Sequence, residues 1–128
     1  MNVRWGSHCS QFFAVFNGVR QGSVLSLTIF NVFINVFIVR LRHLSFGCHL
    51  RSMFIGCLLY ADDLLLICPS VRGLQTMLDV CVSTADSVCL SFNAYKSHCL
   101  AIGKLSKLVS EPMSLGSVPI SWVTSVKY

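Results

Sequence analysis

Two adjacent carboxylates, Asp62 and Asp63, sit inside the otherwise apolar run GCLLYADDLLLIC at positions 56–68. The chain has only five acidic residues, so the placement of two side by side needs an explanation. At roughly 6 Å, like charges repel by about 0.7 kcal/mol in water and about 3 kcal/mol at an effective dielectric near 20. A solvated turn tolerates such a pair, and so does a bound cation. Mg²⁺ suits the second reading, because it is a hard ion held by one or two carboxylates with substrate phosphates and waters. On the doublet alone, a polar turn without function stands equally open.

The surrounding elements must position these groups. Ile55–Tyr60 and Leu64–Cys68 are apolar runs joined by Ala-Asp-Asp, a hairpin pattern. Side chains beside the turn are apolar on both faces, so the sheet there is expected to be covered. Upstream, Gln11–Phe16 reads as a strand, Asn17-Gly18 breaks it, and Val19–Ser23 is a loop. Ser23 or Ser26 is placed to cap a long helix that runs to about Ser45 and stops before Gly47. Thr28, Asn31, Asn35 and Arg42 form a narrow polar stripe along it. His49–Phe54 is ambiguous, with a strand among the options.

Downstream, Pro69-Ser70 opens an amphipathic helix. Val71, Leu74, Met77, Leu78, Cys81, Ala85 and Val88 mark one face, and Arg72, Gln75, Asp79, Ser83 and Asp86 the other. Ser91–Lys96 is a turn and Cys99–Ile102 a short strand. Val118–Trp122 and Val126–Tyr128 suit the arms of a final hairpin. The predicted class is α+β: a split β-α-β-β-α-β arrangement, ferredoxin-like, without its first strand.

Composition bounds the rest. At 128 residues the chain is sized for one domain. It is 54% hydrophobic and 12% charged, against about 25% charged in an average soluble domain. That balance points to a membrane protein or to a piece whose faces are normally covered. The net charge of +5 is scattered, which is compatible with nucleic acid, acidic lipid or an ordinary basic surface. Seven cysteines with no C-x-x-C pair read as free thiols in a reducing compartment, and no disulfide partner is expected. The N-terminus has no signal-peptide core. Val24–Leu41 is the one plausible membrane span, and its two asparagines argue against that use.

Three segments together are more specific than any one. NGVRQGSVLS (17–26) precedes a helix, YADD (60–63) follows on a hairpin, and SFNAYKS (91–97) comes after the second helix. In order and spacing this resembles the palm domain of reverse transcriptases, especially those of non-long-terminal-repeat, LINE-type retrotransposons. The likeness is good over roughly residues 5–103. The stretch 104–128 looks like the weakly matched approach to the primer-grip hairpin, which would make residues 1–128 a partial reverse-transcriptase domain.

The resemblance implies roles. Asp62 would ligate two Mg²⁺ ions, with Asp63 assisting the charge cluster. Tyr60 would pack near the primer terminus, and Ala61 would line the floor beneath the nucleotide. Gln21 and Gly22 would lie against the nucleotide and its template base, and Arg20 would meet a phosphate. Lys96 would sit near the triphosphate as charge partner or proton donor. RNA template, DNA primer and deoxynucleoside triphosphates are the implied partners, in an intracellular setting.

Departures from the family pattern carry expectations too. The family's first palm motif supplies another Asp several tens of residues before the RQGS loop. Here Arg20 follows Met1 by 19 residues and no Asp or Glu precedes Asp62. Fingers and thumb would also be missing, so weak Mg²⁺ binding, an exposed apolar sheet edge and an inactive isolated chain are expected. Leu27 stands where the family usually has Pro after V-L-S, a change of small cost in a helix's first turn. Two other classes compete: a small membrane-anchored protein without catalysis, and a non-catalytic nucleic-acid-binding fragment.

Overall fold

The computed structural model describes residues 1–14, 24–103 and 111–126. The chain divides into two units, Met1–Phe33 and Ile34–Tyr128, with the boundary falling inside one helix.

In the first unit a short hairpin pairs β1 (Arg4–Trp5) with β2 (His8–Cys9) around Gly6-Ser7. Gly6 takes φ +60°, which a glycine adopts without steric cost. Bonds beyond the strands lengthen the arms: Ser10 N–H donates to the Val3 carbonyl at 2.9 Å, and Phe13 N–H to that of Met1 at 2.8 Å. Gln11–Ala14 is not a strand, contrary to the sequence expectation. Helix α1 (Val24–Arg42) then begins. It ends at Arg42, three residues short of the expected Ser45, and Ser26 lies inside it rather than at its cap.

The second unit packs around helix α2 (Val71–Ser87), which separates two apolar clusters. Ser70 caps it in extended conformation, its hydroxyl accepting from Gly73 N–H at 3.2 Å. Gly73 is buried, and a Cβ there would lie 2.7 Å from Cys68 Sγ and 2.8 Å from Ser70 Oγ. The cap therefore depends on a residue without a side chain. On one side Met77, Cys81 and Ala85 join Phe37 and Leu41 of α1 and Cys57. On the other, Leu74, Leu78 and Val82 pack against Cys99, Met113, Leu115 and Ile120. The helical spacing thus serves two faces rather than one.

Strands in this unit are short. β3 (His49–Leu50) pairs with β4 (Met53–Phe54) around Arg51-Ser52, resolving the ambiguous 49–54 segment as a hairpin. β5 (Cys57–Tyr60) pairs antiparallel with β6 (Asp63–Leu66) as a two-stranded sheet. After a single 3-10 turn at Ala94–Lys96, β7 (His98–Leu100) runs parallel to β9 (Val118–Val123). β9 also pairs antiparallel with β8 (Met113–Leu115). The final hairpin is therefore β8–β9 around Gly116-Ser117. Of the expected second arm Val126–Tyr128, Val126 is outside any strand and 127–128 lie outside the described residues.

The class is α+β, with two α-helices and several small sheets among the described residues, compatible with part of a polymerase palm. Among the described residues β7 pairs with β9, and the β5–β6 hairpin stands as its own sheet. No helix among the described residues is long and apolar enough to cross a membrane.

Candidate active site

The carboxylate doublet lies at the tip of the β5–β6 hairpin. The register pairs Cys57 with Leu66, Leu58 with Leu65, Leu59 with Leu64 and Tyr60 with Asp63. Only Ala61 and Asp62 are left in the turn, so the two aspartates occupy different places: Asp62 at the tip, Asp63 on the first strand position. Two-residue hairpin loops need a backbone twist that matches the strands, which calls for a positive φ. Ala61 supplies it at φ +49°, a left-handed conformation that costs an L-residue roughly 1–2 kcal/mol.

Alternation then decides which groups face the core. Cys57, Leu59, Leu64 and Leu66 form one face, and Cys57, Leu64 and Leu66 pack in the cluster with α1 and α2. Leu58, Tyr60, Asp63 and Leu65 form the other. Leu58 is 52% exposed, Leu65 56% and Tyr60 76%. The sheet around the turn is covered on one face only, which corrects the expectation of two covered faces.

The base of the hairpin is fixed by close backbone approach. Ile67 N–H donates to Gly56 O at 2.8 Å, Cys48 N–H to Ile67 O at 3.1 Å and Ile55 N–H to Cys48 O at 2.8 Å. A Cβ on Gly56 would sit 2.7 Å from the Phe54 ring and 2.9 Å from Gly47 Cα. Sequence reasoning passed over Gly56. Its signal was a glycine immediately before an apolar strand, a mark of close backbone approach.

Lys96 stands on a separate element. Asn93 caps the 3-10 turn, its side-chain oxygen accepting from Tyr95 N–H at 3.1 Å, and Ser97 Oγ donates to Asn93 O at 3.0 Å. This self-contained turn presents Tyr95 and Lys96 to solvent and contacts β9. The structure thus brings Tyr60, Ala61, Asp62 and Asp63 together on one hairpin and places Lys96 on another element. Arg20, Gln21 and Gly22 lie outside the described residues.

Asp62 and Asp63 offer hard carboxylate oxygens on an exposed tip, a donor set that fits a cation retaining several waters. No group of three or more His, Cys, Asp or Glu suited to a metal occurs among the described residues. Three buried thiols are held in the neutral form, which is a poor metal ligand. Burial pushes Cys81 up to about 12, with Cys57 adding to the effect. Burial also raises Cys57, against the pull of Arg42, and raises Cys99.

The family described as reverse transcriptase (RNA-dependent DNA polymerase) matches residues 3–128. The chain belongs to the reverse-transcriptase family. A relative refines the type: the retrovirus-related Pol polyprotein from type-1 retrotransposable element R2 of Nasonia vitripennis is 33% identical over 110 residues. That alignment covers 81% of this chain and 11% of the relative, so the chain spans about a ninth of that protein's length. The reverse transcriptase is of the non-long-terminal-repeat retrotransposon type. No solved structure matches the chain.

Proposed function

We propose that these residues are part of the palm of an RNA-directed DNA polymerase, and that the β5–β6 tip is its metal-bearing element. The observation that carries this is the tip itself: Asp62 in the turn, and Asp63 opposite Tyr60 on the uncovered face. The opposite face of the hairpin is anchored in the core. Such a hairpin holds two carboxylates on a rigid base while leaving room for substrate.

In this reading Asp62 and Asp63 hold Mg²⁺ at the tip. When bound, the ion supplies Lewis acidity toward a primer 3′-hydroxyl and neutralises charge on departing pyrophosphate. The chain's own residues do the positioning. Tyr60 lends an exposed ring beside the primer terminus, and Ala61 keeps the floor beneath the nucleotide low. Gln21 and Gly22 approach the nucleotide and template base, and Arg20 meets a phosphate. Lys96 donates a charge or a proton toward the triphosphate. RNA template, DNA primer and deoxynucleoside triphosphates are the partners, and the setting is intracellular. Residues 104–128 begin the primer-grip region.

The split sheet of the palm needs a strand ending in Asp beside the hairpin, and no acidic residue precedes Asp62 in this sequence. The 128 residues alone therefore leave the site one carboxylate short and catalytically silent. Primer extension on a primed RNA template tests this. The chain alone is expected to incorporate no nucleotide, and incorporation abolished by Asp62→Ala would overturn its inactivity. In a longer polymerase carrying this segment, Asp62→Ala is expected to abolish extension. Undiminished extension there would overturn the assigned role.

A further inference from the structure

The tip of the β1–β2 hairpin gathers side chains that the proposed chemistry does not use. Trp5 is 86% exposed, and Arg4 and His8 are exposed with it. Trp5 and His8 are direct cross-strand partners, which puts both rings on one face of the hairpin. Arg4 lies on the alternate face, but its side chain returns to the turn, Nε donating to Gly6 O at 3.2 Å. That bond engages Nε and not the two terminal guanidinium nitrogens. His8 is steadied at the same end, with Ser7 Oγ 3.3 Å from Nδ1. No carboxylate occurs in the first 61 residues, so nothing acidic in that stretch offsets this cationic tip.

A two-stranded hairpin is marginal in isolation, and an indole left in water forgoes a sizeable burial term. Two aromatic rings and a guanidinium on one short hairpin, in a unit without an acidic residue, match how proteins hold single-stranded nucleic acid. Rings stack on bases of any sequence while cations follow the phosphates. We infer that the Arg4–Cys9 hairpin is a single-strand nucleic-acid contact, with Trp5 as its stacking platform and Arg4 as its phosphate ligand. The inference rests on the polymerase reading only for nucleic acid being the partner, and it concerns an element separate from the Asp62 tip.

The chain has two tryptophans, so a Trp122→Phe background makes Trp5 the only indole. In the 128-residue chain, adding 12-nucleotide oligo-dT or oligo-rU is expected to quench that fluorescence saturably. Anisotropy of the labelled oligonucleotide should show Trp5→Ala binding about fivefold or more weakly, with Trp5→Phe largely restoring affinity. Arg4→Gln should lower the salt slope by about one. Quenching that is absent, or Trp5→Ala binding like its parent, overturns the inference. So does a Trp5 response to phosphatidylserine vesicles but not to oligonucleotides. Each of these results leaves the Asp62 primer-extension test untouched, so the two readings fail separately.

Discussion

Gln75 and Ser114 exchange two hydrogen bonds, the Gln75 Nε2 donating to the Ser114 carbonyl and the Ser114 N–H to Gln75 Oε1, both at 3.0 Å. The side-chain amide acts as a strand neighbour for β8, whose other edge is paired with β9. Gln75 also reaches Asp79 Oδ1 at 2.8 Å, which orients the amide along α2. The pair thus adds a polar tie to the apolar packing of Leu74, Leu78 and Val82 against the C-terminal hairpin.

Removing that tie should loosen β8–β9 before the rest of the unit. Gln75→Ala leaves a partly buried donor and acceptor without their partner, a change worth about 1–3 kcal/mol. Gln75→Glu is expected to be worse, since a carboxylate cannot donate to the Ser114 carbonyl. Hydrogen exchange at 113–123 is expected to speed up in both variants while the α2 amides stay protected. Unchanged exchange at Ser114 would show that the pair contributes nothing.

Gly56→Ala should destabilise by about 1–3 kcal/mol, because its Cβ meets both the Phe54 ring and the Gly47 backbone. The ring can turn away, but the backbone at 2.9 Å must shift. A fall in urea midpoint of that size, with α2 helicity retained by circular dichroism, is the expected outcome.

Ala61→Gly should stabilise. The residue sits at φ +49°, where glycine has no Cβ penalty, and the gain is reduced by the greater freedom of glycine in the unfolded chain. A net gain of about 0.5–1 kcal/mol corresponds to a few degrees in melting temperature. A lower melting temperature would contradict the left-handed turn.

Much of this arrangement was legible in the sequence, for identifiable reasons. Both helices and the doublet's hairpin announce themselves by long apolar periods and a polar break. The β1–β2 and β3–β4 hairpins do not, because two-residue strands carry no period. The β7–β9 pairing joins residues 98–100 to 121–123, a contact that no local pattern encodes. Thr84 was also missed: it is wholly buried, its hydroxyl donating to Val80 O at 2.6 Å and accepting from Arg40 Nη1 at 3.3 Å. A polar side chain satisfied in this way leaves no trace in hydropathy. At the candidate site the carboxylates were legible, but Ala61 was not an obvious left-handed residue, since Gly, Asn or Asp usually holds such a position.

Stability should fall in alkali. Burial raises Cys57, Cys81 and Cys99 in the folded chain, Cys81 to about 12, so the unfolded chain ionises its thiols first. The unfolded state then binds fewer protons, and the stability present below about pH 9 is lost as pH rises toward 12. Urea midpoints under reducing conditions should decline from pH 8 to pH 10.5, and Cys81→Ala should flatten the decline. An equal slope in that variant would assign the effect to other groups.

The central claim is that the Asp62–Asp63 tip holds a divalent cation. Backbone amide spectra of the chain, recorded during Mn²⁺ addition in place of Mg²⁺, test it most directly, because paramagnetic broadening registers weak and local binding. The account predicts that residues 60–64 broaden first, and that Asp62→Asn with Asp63→Asn abolishes the effect. Broadening centred elsewhere, or unchanged at 60–64 in the double variant, would contradict it.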